Sequence, residues 1–381
     1  MNNSKKILFT TENISWGGSE LLWSRTVLEM LHSGFTIVIC TNEKLKLPNE
    51  IIEAEKQHKL KILNYSANNL SSYKRIANRF LPYSKRFKAS NLREQFILDF
   101  NPDLIVINQG FNFNAVDLML FALQNKINYI TISHAVNESL WPNYTLREKM
   151  KVGFSNSVKN YFVSQDNLLV TQNQLGIKLK NAEIVRNPFN VSFNIDLDFP
   201  ETDNFHLAFV GRYDFCSKGQ DVLLQVLSEE KWKNRNLHIN FYGEGNDREN
   251  LKDLVEMYDV KNVKIHSHTA TPEIWKTNHG LILTSRFEGL PIVIIEAMLC
   301  KRLVIVTNVS GNIELVTDNK TGFIAAAPRP VYVDEALERA WNQRANWEEI
   351  GLNVRQEIIN QIPENPAQFF AGKLQYILNN L

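Results

Sequence analysis

The stretch with most chemistry in this chain is Ser285–Met298, SRFEGLPIVIIEAM. Glu288 and Glu296 bracket a Gly-Leu-Pro turn and the start of an apolar helix. Pro291 suits the first helical turn, where its missing N–H costs nothing. The backbone around Gly289, Leu290, Pro291 and Ile292 then leads into a helix N-terminus, whose free N–H groups and positive dipole end favour a phosphate. Carboxylates on either side of a phosphate suit sugar hydroxyls, one on a transferred sugar and one on a ribose.

Four further segments carry polar groups of the same kind. Val210–Gly219, VGRYDFCSKG, follows an apolar run. Gly211 would allow a tight turn, and Arg212 and Lys218 would sit in the loop beyond it, a planar fork and a point charge suited to a diphosphate. In SWGGSE, Gly17 and Gly18 precede a helix and permit close backbone approach to a ligand. His134 ends the run YITISH, from which it could donate a hydrogen bond to a substrate hydroxyl or phosphate. His266 and His268 lack a third metal ligand and read as structural. Residues 71–93 hold Lys74, Arg75, Arg79, Lys85, Arg86, Lys88 and Arg93 among aromatic and aliphatic residues, with no acid. That stretch fits an anionic membrane surface, an anionic acceptor or a solvated helical face. No nucleic-acid motif accompanies it.

These groups need elements to hold them. Lys6–Thr10, Phe35–Cys40, Lys61–Tyr65, Asp103–Asn108 and Tyr129–His134 read as strands buried on both faces, with helical stretches between. The pattern restarts with strands at Phe205–Val210, Leu237–Tyr242, Val263–His266, Leu281–Thr284 and Leu303–Thr307. Helices are expected at Gln220–Leu227, Arg248–Tyr258, Pro291–Leu299 and Val333–Gln343. Asn187–Pro200 lacks a period and marks the seam. Two doubly wound α/β domains follow, with ligands expected beyond the carboxyl ends of their strands. The domains run over 1–190 and 191–362, and a closing helix over 363–381.

Composition agrees with this layout. Of 381 residues, 44% are apolar and 22% charged, enough for two cores. The net charge is +8 over residues 1–190 and −7 over the rest, so the first half is the one expected to meet anions. Three scattered cysteines exclude a disulfide framework or a cysteine zinc site. No apolar run spans a bilayer. A cytoplasmic protein, peripheral at the inner membrane face, is the expectation.

The GG loop, the Gly-Arg and Lys-Gly pairs, and the two glutamates eight apart resemble the large family of retaining glycosyltransferases with the GT-B fold, family 4. YGEGNDRENLKDL and NVSGNIELVTDNKTGF are similar to its later segments, and YFVSQ with VRNPFN to the end of its first domain. The resemblance implies an N-terminal acceptor-side domain, a C-terminal nucleotide-sugar domain and a last helix, around Ala367–Leu378, that crosses back. Arg212 and Lys218 would hold the donor diphosphate, joined by the backbone at Leu290–Ile292. Glu288 would bind the donor sugar and Glu296 the ribose. Gly17 and Gly18 would close on the phosphate, and His134 would stand on the acceptor side. The implied catalytic set is Glu288, His134, Arg212 and Lys218.

The implied reaction is sugar transfer from a nucleotide-diphosphate sugar to a glycan, a lipid-linked intermediate or another hydroxyl. Retention in glycoside hydrolases uses a carboxylate nucleophile, whereas this family is read as front-side transfer. No Asp-x-Asp motif stands beside the donor residues, so no metal and no cofactor is expected. Two departures from the family are visible: Cys300-Lys301-Arg302-Leu303 replaces a small-Gly-Pro turn and adds positive charge, and Asn278-His279-Gly280 replaces the usual Ala-Asp before the EGLP strand, which bears on a surface there rather than on the chemistry. Two other functions fit the same architecture, a nucleotide-sugar epimerase and a non-catalytic sugar-nucleotide or glycan-binding subunit. The missing G-x-G-x-x-G disfavours an NAD oxidoreductase.

Overall fold

The computed structural model describes residues 4–66 and 92–381. The basic stretch 71–93 lies outside them except for Leu92 and Arg93. Two parallel sheets make up the fold. The first has the order β3-β2-β1-β4-β5-β6-β7: β1 is Lys6–Thr11, β2 Thr36–Asn42, β3 Lys61–Tyr65, β4 Leu104–Phe111, β5 Tyr129–Ala135, β6 Lys159–Phe162 and β7 Ala182–Ile184. The second has the order β10-β9-β8-β11-β12-β13: β8 is Phe205–Val210, β9 Leu237–Tyr242, β10 Val263–His266, β11 Gly280–Leu283, β12 Leu303–Thr307 and β13 Phe323–Ala325.

In each sheet the first strand in sequence is central, and the order reverses beside it, between β1 and β4 and between β8 and β11. A crevice opens at such a reversal beyond the carboxyl ends of the strands. The central strands are mostly apolar because helices cover both faces, while polar residues such as Thr11, Asn108 and His134 stand toward their carboxyl ends. Ile7, Phe9, Val106 and Ile130 pack on one face of the first sheet and Leu8, Ile105 and Ile107 on the other. A separate core fills the second domain, built on Phe209, Ile239, Ile282 and Ile305.

The chain passes between the sheets twice. Segment 187–200 leads from one to the other. Helix Pro366–Asn379 returns to pack on helix Gly18–Met30, with Phe370 meeting Tyr161 edge-on at 4.9 Å. Ion pair Arg186–Glu314, at 3.0 Å, joins the domains near the first passage. Among the described residues no helix is long and apolar enough to cross a membrane.

Candidate functional site

Glu288 follows β11 and is almost fully buried. Its Oε1 accepts hydrogen bonds from Lys218 Nζ at 2.5 Å and Ser285 Oγ at 2.8 Å. Lys218 arrives there from a four-residue helix, Phe215–Lys218, rather than from a loop. Asp214 caps that helix through Ser217 N and Oγ, and Gly219 ends it at φ 67°. A Cβ on Gly219 would stand 2.2 Å from the Thr284 carbonyl oxygen. The demanding glycine of this segment is therefore Gly219. Gly211 has room for a Cβ, whose nearest neighbour would be the Lys218 chain at 3.7 Å, which corrects the turn role expected of it. Arg212 stands at the cleft mouth, 66% exposed and 3.8 Å from Asp214.

Helix Ile292–Leu299 begins directly after this loop. Pro291 is its N-cap residue, one position earlier than expected, and no side chain caps the terminus. Ile294 N donates to Pro291 O at 3.1 Å, which leaves the N–H groups of Ile292 and Val293 available to a ligand. Glu296, on the buried side of the helix, accepts from Asn190 N at 2.8 Å and Asn190 Nδ2 at 3.0 Å. Burial pushes its carboxyl above the usual range, against the pull of Asn190 and Arg25. Arg25, from the first domain, donates to Phe189 O and Asn190 Oδ1 at 2.8 and 2.7 Å. Sequence reasoning missed Asn190 and Arg25; only the Asn-rich NPFN seam pointed to that region.

The first domain closes on the same loop. Gly17 is the N-cap of helix Gly18–Met30, and a Cβ on Gly18 would come 2.9 Å from Ile292 Cδ1. Gly289 lies so tightly on His134 that a Cβ there would be 1.7 Å from the His134 carbonyl oxygen. Leu290, beside it, is anchored in the second core. The fold thus brings Gly18, His134, Lys218, Glu288 and the helix start together. Arg212 lies at the rim and Glu296 deeper, against the seam.

His134 itself is buried, and burial pushes its pKa down to about 3. The free donor expected of it is taken, since its Nε2 stands 2.7 Å from Asn108 Oδ1. Behind Asn108 lies Glu20, a fully buried carboxylate in the SWGGSE segment that sequence reasoning passed over. Its position in the first turn after two glycines was the available signal.

A cavity of about 310 Å³ adjoins this centre between the domains, lined among others by Glu138, Asp166, Arg286, Phe287 and Ser310. Ser310 Oγ accepts from Glu288 N at 3.3 Å, so cavity and carboxylate share a wall. Arg286 is spoken for by Asp221, at 2.7 and 2.8 Å. Among the described residues no group of three or more His, Cys, Asp or Glu could hold a metal.

Both departures from the family turn inward. Arg302 is fully buried and donates to the Trp275 and Asp198 carbonyls, while Lys301 adopts φ 60° and pairs with Asp196. Asn278 and His279 are likewise buried, which corrects the expectation of a surface there. Asn278 donates to Ile274 O at 2.8 Å and accepts from Asn240 at 2.8 Å.

Known proteins share this fold and part of this sequence. Residues 195–361 match the family described as glycosyl transferases group 1. An uncharacterized glycosyltransferase of Methanocaldococcus jannaschii is 25% identical over 320 residues, covering 80% of this chain and 86% of the relative. The Anabaena protein HepE, solved in complex with UDP, superposes with a TM-score of 0.74 at 16% identity, over 99% of this chain and 100% of that one. Sucrose-phosphate synthase from Thermosynechococcus elongatus gives 0.75 at 14% identity, again over 99% and 100%. The chain is a glycosyltransferase of the GT-B fold, and residues 195–361 of its second domain are similar to the glycosyl transferases group 1.

Proposed function

We propose that the cleft binds a nucleoside-diphosphate sugar and transfers its sugar, with retention and without a metal, to a hydroxyl acceptor. The observation that carries this reading is the Lys218–Glu288 pair at 2.5 Å beside the uncapped start of helix Ile292–Leu299. A cation and backbone N–H groups converge there on the position a diphosphate would take, with a carboxylate beside it for sugar hydroxyls. Arg212 would fold onto the same diphosphate from the rim, and Gly17 and Gly18 would let the first domain close over it. Uridine is the base we favour, since HepE was solved with UDP and with UDP-glucose.

In the reaction the bond from the anomeric carbon to the diphosphate oxygen breaks, and its electron pair goes to the phosphate. The acceptor oxygen bonds to the same carbon, and its proton passes to the departing phosphate. Charge grows on the leaving group, so fixed cations and N–H donors supply the rate enhancement. Glu288 has one oxygen held by Lys218 and Ser285. That favours orienting the donor sugar over attacking it. Glu296 would hold the ribose, with Asn190 fixing the carboxylate.

The test is a thermal-shift screen against nucleoside diphosphates and nucleotide sugars in the presence of a chelator. A ligand of the native state raises the midpoint by mass action. One nucleotide should shift wild type and fail to shift Arg212→Ala and Glu296→Ala. Absence of any shift from well-folded protein rejects the donor site.

For the acceptor we favour a glycan or lipid-linked intermediate entering by the 310 Å³ cavity, with the basic stretch 71–93 against an anionic bilayer. Vesicles rich in phosphatidylglycerol should retain the protein and release a variant with Lys85, Arg86 and Lys88 changed to Glu. Equal retention of both, or of neither, rejects the membrane contact.

A further inference from the structure

Behind the cleft, a row of buried polar groups joins the glycine loop to His134. Glu20 Oε1 takes hydrogen bonds from Asn13 Nδ2 at 2.7 Å, Asn108 Nδ2 at 3.3 Å and Thr11 Oγ1 at 3.3 Å, and Oε2 takes one from Ser19 Oγ at 2.6 Å. Asn108 Nδ2 also donates to Thr11 Oγ1 at 3.1 Å. Asn108 Oδ1 then faces His134 Nε2 at 2.7 Å. Glu20, Thr11 and Asn108 are all fully buried, so no solvent competes for these bonds.

The chemistry of each group dictates the direction of the row. Burial raises the Glu20 pKa, but the four donors on its two oxygens favour the ionised form, which only accepts. Thr11 spends its hydroxyl proton on Glu20 and therefore accepts from Asn108. Both partners on that side demand the amide nitrogen, so the amide oxygen must point the other way, at His134. An amide oxygen only accepts, so the imidazole nitrogen facing it carries the proton. A neutral imidazole has one N–H, and the other nitrogen keeps its lone pair.

We propose that Glu20 is a positioning residue for His134, acting through Asn108 to keep the imidazole proton on Nε2 and leave Nδ1 a hydrogen-bond acceptor. Nδ1 is buried and has no partner in full hydrogen-bond geometry; the Asn187 side chain beside it, which weakly opposes the fall of the imidazole pKa, has an unpartnered oxygen of its own. The group that Nδ1 lacks is a donor. Rotation of the Asn187 amide would supply one, and a sugar hydroxyl would supply another. This second use rests on the transferase reading above; the tautomer does not. His134 then receives a hydroxyl proton in a hydrogen bond instead of donating one, the reverse of the role its sequence position suggests.

The experiment uses the full chain with ¹⁵N-labelled histidine and reads long-range proton–nitrogen correlations of the imidazoles. Wild type should show His134 with Nε2 protonated and Nδ1 bare. Glu20→Gln is nearly isosteric, and its amide can donate toward Asn108 and release that side chain to turn. It should move the His134 pattern toward a protonated Nδ1 and lower turnover by about tenfold or more, with donor KM unchanged. Adding Asn108→Asp to Glu20→Gln should restore the Nε2-protonated pattern, because a carboxylate at 108 can only accept. A protonated Nδ1 in wild type overturns the proposal. So does an unaltered His134 pattern in folded Glu20→Gln. The nitrogen shifts are read without turnover, so a failure of the transferase reading would show as absent activity with the tautomer intact.

Discussion

At Glu288, Oε1 is occupied by Lys218 and Ser285. Changing Glu288 to Gln keeps the shape but removes the charge that pairs with Lys218 and that would face the electron-poor anomeric carbon. A carboxylate that mainly orients the sugar in the transition state should be missed there more than in the ground state. Glu288→Gln should therefore lower kcat by about a hundredfold or more while donor KM stays within about threefold. Steady-state kinetics with the donor identified by thermal shift gives both numbers, and unchanged kcat would remove Glu288 from the chemistry. The sequence disclosed Glu288, Lys218 and the helix start because all lie within two short segments of unusual composition. It did not disclose Glu20, Asn108 or Asn190. Each of these acts through a partner 88 to 106 positions away, and no local spacing records such a partner.

At the scale of elements, the legible ones were those with a long enough apolar run. Strands β3, β8, β9, β10 and β12 begin and end at the residues expected from the sequence. Strands β7 and β13 have three residues each, too few for any period to emerge. They lie toward the outer end of each sheet, where pairing with a longer neighbour replaces intrinsic preference. Loops were harder still. The sequence shows a glycine but not what approaches it, so Gly211 looked like the tight turn while Gly219 bears the positive φ. Gly289 is the plainest case: its lack of a Cβ is what lets the loop after β11 lie on the carbonyl of His134 at the end of β5. That contact brings the two sheets' carboxyl ends together, and it spans 155 positions of sequence.

The whole molecule carries a pH dependence set by buried imidazoles. His279 accepts a hydrogen bond at Nδ1 from His206 N, at 3.0 Å, and lies against Phe199, Phe205 and Trp347. Burial, with His206 adding to it, pushes its pKa down to about 4. His134 is pushed down to about 3, and His206, His238 and His266 are lowered as well. A depressed imidazole pKa means the unfolded chain binds protons that the folded chain refuses. Stability should therefore be full above about pH 6.5 and fall as pH drops toward 4. The slope is at most about 1.4 kcal/mol per pH unit for each histidine, less for those partly reached by solvent. Carboxylates lowered by ion pairs, such as Glu338 beside Arg235, lose their contribution only below their unfolded range. Glu20, Asp166 and Glu296, raised by burial, bind protons more readily folded than unfolded and work in the opposite sense, so the share of His279 is read from a variant compared with wild type over pH 7 to 5. Urea midpoints should drop across that interval in wild type. His279→Asn keeps an acceptor for His206 N and cannot titrate, so its midpoint should drop less. An equal drop in both proteins would show that His279 does not supply the proton linkage and that the loss of stability arises elsewhere.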